Sequence, residues 1–149
     1  MTDPIRLLLA DDQQMVRAGF RLVLDAQPDM SVVGEANDGA EALQLVDELA
    51  PDVVLMDIRM PVLDGLGATE KIMTSHPEAK ILVLTTFDLD EYVHSALRAG
   101  ASGFMLKDAG PTELLAAIRA VRDGDSVVAP SATRRLIERF IPRKGEGAA

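Results

Sequence analysis

The sequence predicts an α/β protein: a doubly wound sheet of five parallel strands in the order 2-1-3-4-5, with one further helix after it. Three observations lead there. Five short apolar runs alternate strictly with five amphipathic helical patterns. Each connection is long enough only for a crossover through one helix; such crossovers are right-handed, so the strands run parallel. At 149 residues the chain is too short for an eightfold barrel.

The first strand is the apolar run 5–10, and Asp11 and Asp12 follow it directly. Val16, Phe20, Val23 and Leu24 then recur at helical spacing, and Pro28 lies just past the end of that helix. A second strand spans 31–36. Asn37-Asp38-Gly39 is a turn in which Asp38 can cap the helix 40–49, which buries Leu43, Val46 and Leu49 or Ala50 and stops before Pro51. Val53 to Met56 is wholly apolar, as a strand buried on both faces must be, and it ends on one carboxylate, Asp57. Pro61 and Asp64-Gly65 mark the next turn. The third helix, 66–75, is closed by Pro77. Strand four covers 80–85, helix four 90–99 up to Gly100, and strand five 103–106 up to Lys107. Pro111 suits the first turn of a fifth helix, which buries Leu114 or Leu115, Ile118 and Val121 before Gly124. Residues 130–141 form another amphipathic pattern. Leu136, Ile137, Phe140 and Ile141 lie on one side of it and Arg134, Arg135, Glu138 and Arg139 on the other. The expected division is a domain over 1–125 and a linker over 126–149.

Composition narrows the function. Hydrophobic residues make up 48%, enough for a real core. Cysteine is absent, which excludes disulfides and thiolate metal sites. No apolar run has the length to cross a bilayer, so no membrane role and a cytoplasmic location are expected. A formal charge of −9 argues against nucleic-acid binding by this chain itself. His76 and His94 have no metal-ligand company, and the seven methionines are core fillers.

Open α/β sheets place ligands at the carboxyl ends of their strands. In the predicted order, strands one, three, four and five lie side by side. Their ends carry Asp11 and Asp12, then Asp57, then Thr85 and Thr86, then Lys107. Taken singly, each has a plain reading as a turn former, a helix cap, a β-former or a surface lysine. Together they demand another. Three carboxylates about 5 Å apart repel by roughly 3 kcal/mol per pair at an effective dielectric near 20, which packing alone would not sustain. A hard divalent cation, Mg²⁺ or Mn²⁺, relieves that repulsion. Asp57 then reads as a nucleophile for a phosphoryl group, Lys107 as a second cation and Thr85 as a hydroxyl donor to a phosphoryl oxygen.

With these residues in place, the sequence resembles the receiver domain of bacterial two-component response regulators. The resemblance rests on Asp11-Asp12, on Asp57 within Leu-Met-Asp-Ile-Arg-Met-Pro, on Asp64-Gly65, on Thr85, and on Gly100-Ala-Ser-Gly-Phe-Met-Leu-Lys107. Ile-Arg-Met-Pro and Leu-Thr-Thr-Phe look most like the NarL/FixJ (LuxR-type) subfamily. The resemblance spans residues 4–125 and implies a flavodoxin-like fold. It also implies phosphorylation of Asp57 by a sensor histidine kinase, and Mg²⁺ held by Asp12, Asp57 and the Arg59 backbone carbonyl, with Asp11 acting through water. Thr85 and Phe104 would form a switch pair, Phe104 moving inward as Thr85 swings toward the phosphoryl group. A homodimer would form on phosphorylation, through helices one and five or four and five. DNA would be bound only through a LuxR-type helix-turn-helix domain that the tail would link to the receiver.

Two positions depart from the family pattern. Asp108 stands where many receivers have a proline with a cis bond, so no cis bond is expected; and the switch aromatic is phenylalanine, without a hydroxyl. Arg59 and Phe87 each lie two residues past a site residue, beside the path of an attacking water in receivers. If they obstruct it, self-dephosphorylation is slow; if they point outward, it is not affected. The chain is expected to stop at the linker, the DNA-binding domain being absent, with a natural single-domain receiver as the alternative. Two other classes fit less well. An aspartyl-phosphate phosphatase would need Asp-x-Asp after the first strand, where the acids here are adjacent. A flavin mononucleotide protein would need a hydroxyl- and glycine-rich loop where Asp11-Asp12 would repel phosphate.

Overall fold

Uninterrupted apolar runs become strands because both faces of the sheet are covered. In the computed structural model, which describes residues 3–85, 90–107, 109–125 and 127–128, the order is β1 (Ile5–Ala10), α1 (Gln14–Asp25), β2 (Met30–Ala36), α2 (Gly39–Leu49), β3 (Val53–Asp57), α3 (Gly65–Ser75), β4 (Ile81–Thr85), α4 (Asp90–Arg98), β5 (Gly103–Leu106), α5 (Pro111–Arg122) and β6 (Val127–Val128). The sheet runs β2-β1-β3-β4-β5-β6 with every pair parallel. The predicted order 2-1-3-4-5 therefore holds. β6 is an addition: Val127 and Val128 lie within the expected linker and pair with Gly103 and Phe104. Two residues are too short a run to carry a period, which is why the sequence does not announce this strand. Thr86, Phe87, Asp108 and the helix expected over 130–141 lie outside the described residues.

Alternation along the strands sorts the core into two layers. On one face Leu8, Val54, Met56, Ile81, Val83 and Phe104 pack against Ala42 and Val46 of α2, Ala68 and Ile72 of α3 and Ala96 of α4. On the other, Leu7, Leu9, Val53, Leu55, Leu82, Leu84 and Met105 pack against Leu24 of α1 and Leu114, Ala117, Ile118 and Val121 of α5. Local signals fix the helix ends. The Asp38 side chain accepts from the Glu41 N–H at 2.8 Å, as the turn sequence predicts, and Asp64 does the same for Gly67 at 2.7 Å. Gly100, at φ 104°, and Gly124, at φ 98°, follow α4 and α5 in the left-handed region that glycine occupies without strain.

Candidate functional site

The sheet register carries the site residues to one rim. Ala10 pairs with Met56, so Asp11 and Asp57 are the next residues on neighbouring strands. Asp57 pairs with Leu84, one residue before Thr85, and Thr85 pairs with Leu106, one residue before Lys107. The Lys107 N–H also donates to the Thr85 carbonyl at 2.8 Å, which fastens the two strand ends together. Asp11, Asp12 and Asp57 each bring a carboxylate oxygen within 4.8 Å of the others. Asp11 and Asp57 are buried and Asp12 is exposed, so the cluster opens to solvent on the Asp12 side.

Lys107 is the counter-ion of this cluster. Its Nζ lies 2.6 Å from Asp11 Oδ2 and 3.3 Å from Asp57 Oδ1. Burial works against the charge on Lys107, but the hydrogen bond to Asp11 and the charges of Asp57 and Asp11 outweigh it and raise its pKa. Asp57 goes the other way from an ordinary carboxyl. Burial, together with the charges of Asp11 and Asp12, prevails over Lys107 and lifts its pKa to about 6. One lysine thus neutralises one of three acids, and two negative charges remain at a half-open rim. Hard oxygen donors, excess negative charge and an open side fit Mg²⁺ or Mn²⁺, which takes one or two carboxylates and keeps waters and phosphate oxygens.

The loop after Asp57 is drawn tightly over the strand end. The Gly65 N–H donates to the Ile58 carbonyl at 2.7 Å, and a Cβ at Gly65 would lie 1.9 Å from the Asp57 carbonyl oxygen. The Gly39 N–H holds the Leu63 carbonyl at 2.9 Å, where a Cβ would fall 2.1 Å from that oxygen. Both contacts require glycine. Arg59 is exposed and borders an open cleft of about 510 Å³ with Asp12, Ile58, Met60, Pro61 and Asp64. A groove of about 610 Å³ at the opposite end of the sheet is lined by Asp3, Asp52, His76, Lys80 and Arg122, well away from the carboxylate cluster.

Thr85 and Phe104 are both buried. Phe104 pairs with Val83, two residues before Thr85, so both belong to the α2–α3–α4 face by alternation, whereas Asp57 and Lys107 share the parity of the α1–α5 face. The Phe104 ring lies in the core against α2, α3 and α4. Sequence reasoning missed Arg17, which is buried in the first turns of α1. Its Nη1 donates to the Asp11 carbonyl and its Nε to Glu35 Oε1 at 2.9 Å. Two signals could have revealed it: Glu35 is an acid inside an otherwise uncharged strand, and Arg17 stands three and seven residues before Phe20 and Leu24 on the inward stripe.

Comparison with known proteins agrees with this geometry. Residues 7–119 match the response regulator receiver domain. Over 135 residues the chain is 48% identical to YxjL of Bacillus subtilis, described as an uncharacterized transcriptional regulatory protein, covering 91% of this chain and 62% of that one. It is 43% identical over 145 residues to the oxygen regulatory protein NreC of Staphylococcus carnosus, covering 97% of this chain and 67% of that one. The crystal structure of a LuxR-family two-component response regulator from Aurantimonas superposes with a TM-score of 0.88 at 34% identity, covering 93% of this chain and 99% of that one. Sequence, topology and the acidic rim therefore converge, and the chain belongs to the response regulator receiver family, among relatives of the LuxR type.

Proposed function

We propose that the chain is the phosphoacceptor switch of a transcription regulator, with Asp57 as the acceptor and a sensor histidine kinase as the donor. The observation that carries this reading is the meeting of Asp11, Asp12 and Asp57 at the carboxyl rim of a parallel sheet, with Lys107 shared between Asp11 and Asp57. In the transfer an Asp57 carboxylate oxygen attacks phosphorus. The new O–P bond forms as the P–N bond of the donor phosphohistidine breaks, and the imidazole nitrogen leaves with the electron pair. Asp12, Asp57 and the Arg59 carbonyl would hold Mg²⁺, with Asp11 acting through water. The bound ion would neutralise charge on the phosphoryl oxygens. Lys107 can transfer its pairing from Asp57 to a phosphoryl oxygen without leaving Asp11. The buried Thr85 hydroxyl would donate to another.

The output follows as a population shift. Thr85 and Phe104, both buried, would form the switch pair, Phe104 moving inward as Thr85 swings toward the phosphoryl group. Dimerisation of the phosphorylated form would then act on DNA through a LuxR-type helix-turn-helix domain, since the chain spans 62% and 67% of two relatives named as regulators. Arg59 stands beside the open cleft, and with Phe87 it would slow hydrolysis of the acyl phosphate. Arg59→Asn and Phe87→Glu should shorten the phosphoryl lifetime, and unchanged rates would remove that role. The central test is incubation with Mg²⁺ and acetyl phosphate, read by intact mass. Wild type should gain one phosphoryl group and Asp57→Ala none; a wild type that gains none, or an Asp57→Ala that gains one, contradicts the assignment.

A further inference from the structure

A buried guanidinium is costly unless every donor is used, and the use Arg17 makes of its donors is specific. Its Nε pairs with Glu35 Oε1 on β2 at 2.9 Å, while Nη1 donates to the backbone carbonyl of Asp11. That carbonyl belongs to the peptide joining the two acids after β1. The Asp11 side chain is held separately, by Lys107 Nζ at 2.6 Å. Gln13 begins α1 without a capping bond from its own side chain. Asp11 Oδ1 accepts the Gln13 N–H at 2.9 Å, and the Asp11 N–H reaches the Ala36 carbonyl at 3.1 Å. Glu35 is held from outside as well, by Arg21 Nη1 at 2.6 Å, and Arg21 also meets Asp25 at 3.1 Å. Arg17 and Asp57 border one cavity of about 10 Å³ with Phe20, Leu55 and Leu84, so the arginine lies directly beneath the carboxylate rim.

We infer that Arg17 is a positioning residue for the cation site: it clamps the Asp11–Asp12 peptide to β2 through Glu35 and thereby sets where both carboxylates stand. The inference rests on the reading of the acidic rim as a Mg²⁺ site. Arg17 touches neither cation nor phosphoryl group; it acts by orienting one peptide plane. Groups that orient metal ligands influence affinity by about 10- to 100-fold, and a carbonyl shared by two adjacent acids is a single point of control over both.

The test compares wild type, Arg17→Met and Arg21→Met. Mg²⁺ affinity is measured by titration calorimetry, and order in the turn by amide hydrogen exchange at Asp12, Gln13 and Gln14 in metal-free protein, both well below each melting temperature. Arg17→Met should bind Mg²⁺ about tenfold more weakly and exchange those amides faster. Arg21→Met, which loses only the outer bond to Glu35, should melt earlier yet keep wild-type affinity. A purely structural role for Arg17 predicts the opposite: affinity unchanged in every folded variant, with only the melting temperature moved, and that result overturns the inference. Should Arg17→Met not fold, Arg17→Gln, whose amide can serve one of the two partners but not both, is judged by the same pair of measurements. A wild type that binds no Mg²⁺ overturns the acidic-site reading along with this one, and is distinct from a loss confined to the Arg17 variants.

Discussion

Asp57 is held at a cost, and the cost has a sign that can be measured. Its pKa in the folded protein is about 6, against an ordinary value of 3.8, chiefly because of burial. Below about pH 4 both folded and unfolded chains carry the proton and the residue costs nothing. Between about pH 4 and 6 the unfolded chain releases it first, so stability falls as pH rises, and above the folded value the full penalty applies. Solvent reaching this half-open rim softens the penalty, so Asp57→Asn should stabilise the metal-free protein by about 1–2 kcal/mol at pH 7.5. At pH 4 most of the gain should be gone. A denaturant titration at both pH values checks this, and an equal gain at both would assign it to something other than charge. Val62 stores energy of another kind. It is exposed, β-branched and held at φ 70°, while the Leu63 N–H bonds the Pro61 carbonyl at 2.7 Å across it. That conformation costs a β-branched residue about 1–2 kcal/mol. Val62→Gly should recover about 1 kcal/mol in thermal unfolding, less what glycine loses by its freer unfolded chain. No change would mean that the loop relaxes around the valine.

Between elements, α2 and α3 are tied at their ends by a titrating pair. His76 Nε2 lies 2.5 Å from Asp47 Oδ1, and its Nδ1 lies 3.7 Å from Glu78. The Asp47 hydrogen bond, with the charges of Asp47 and Glu78, raises the histidine pKa above its ordinary 6.5. A raised pKa means that the folded state binds the proton more tightly. The added stability is complete below the ordinary value and is lost as pH rises through the folded one. Asp47→Asn should therefore lower the melting temperature at pH 6 and have little effect at pH 9; a pH-independent difference would point to helix packing instead. This pair marks the limit of what the sequence shows. His76 reads as uninformative because its partner is 29 residues away and nothing local pairs them. Arg17 was hidden for a related reason, since Asp11 just past β1 and Glu35 on β2 meet it together only once the sheet is assembled. By contrast Asp38, Gly100 and Pro111 act on their own neighbours, and the elements they bound are placed correctly to within a residue or two. The rim itself was legible, because a strand end is a local event and the order 2-1-3-4-5 follows from alternation of strands and helices. β6 was not, because its two valines become a strand only by lying against β5.

For the molecule as a whole, with its formal charge of −9 and its carboxylate cluster, the proposed Mg²⁺ binding would be a matter of folding as well as chemistry. An ion that binds the native rim and not the unfolded chain stabilises by RT ln(1 + [L]/Kd). Mg²⁺ at about ten times its dissociation constant adds about 1.4 kcal/mol, which is roughly 4–6 °C in a domain of this size. Sodium chloride at matched ionic strength should not reproduce this, because screening weakens long-range repulsion but cannot bridge three carboxylates within a few ångströms. Lys107→Ala sharpens the test. Without Lys107 the buried Asp11 loses its 2.6 Å partner and Asp57 its 3.3 Å partner, so the metal-free variant should melt well below wild type. The same vacated charge should draw Mg²⁺ more strongly, so the gap should narrow as Mg²⁺ is added and reopen when the metal is chelated. Removing an acid has the reverse signature: Asp12→Asn should keep or raise the metal-free melting temperature and lose most of the Mg²⁺-dependent rise. If Mg²⁺ raises all three proteins equally, it acts on the general negative surface, and the rim has no special hold on it.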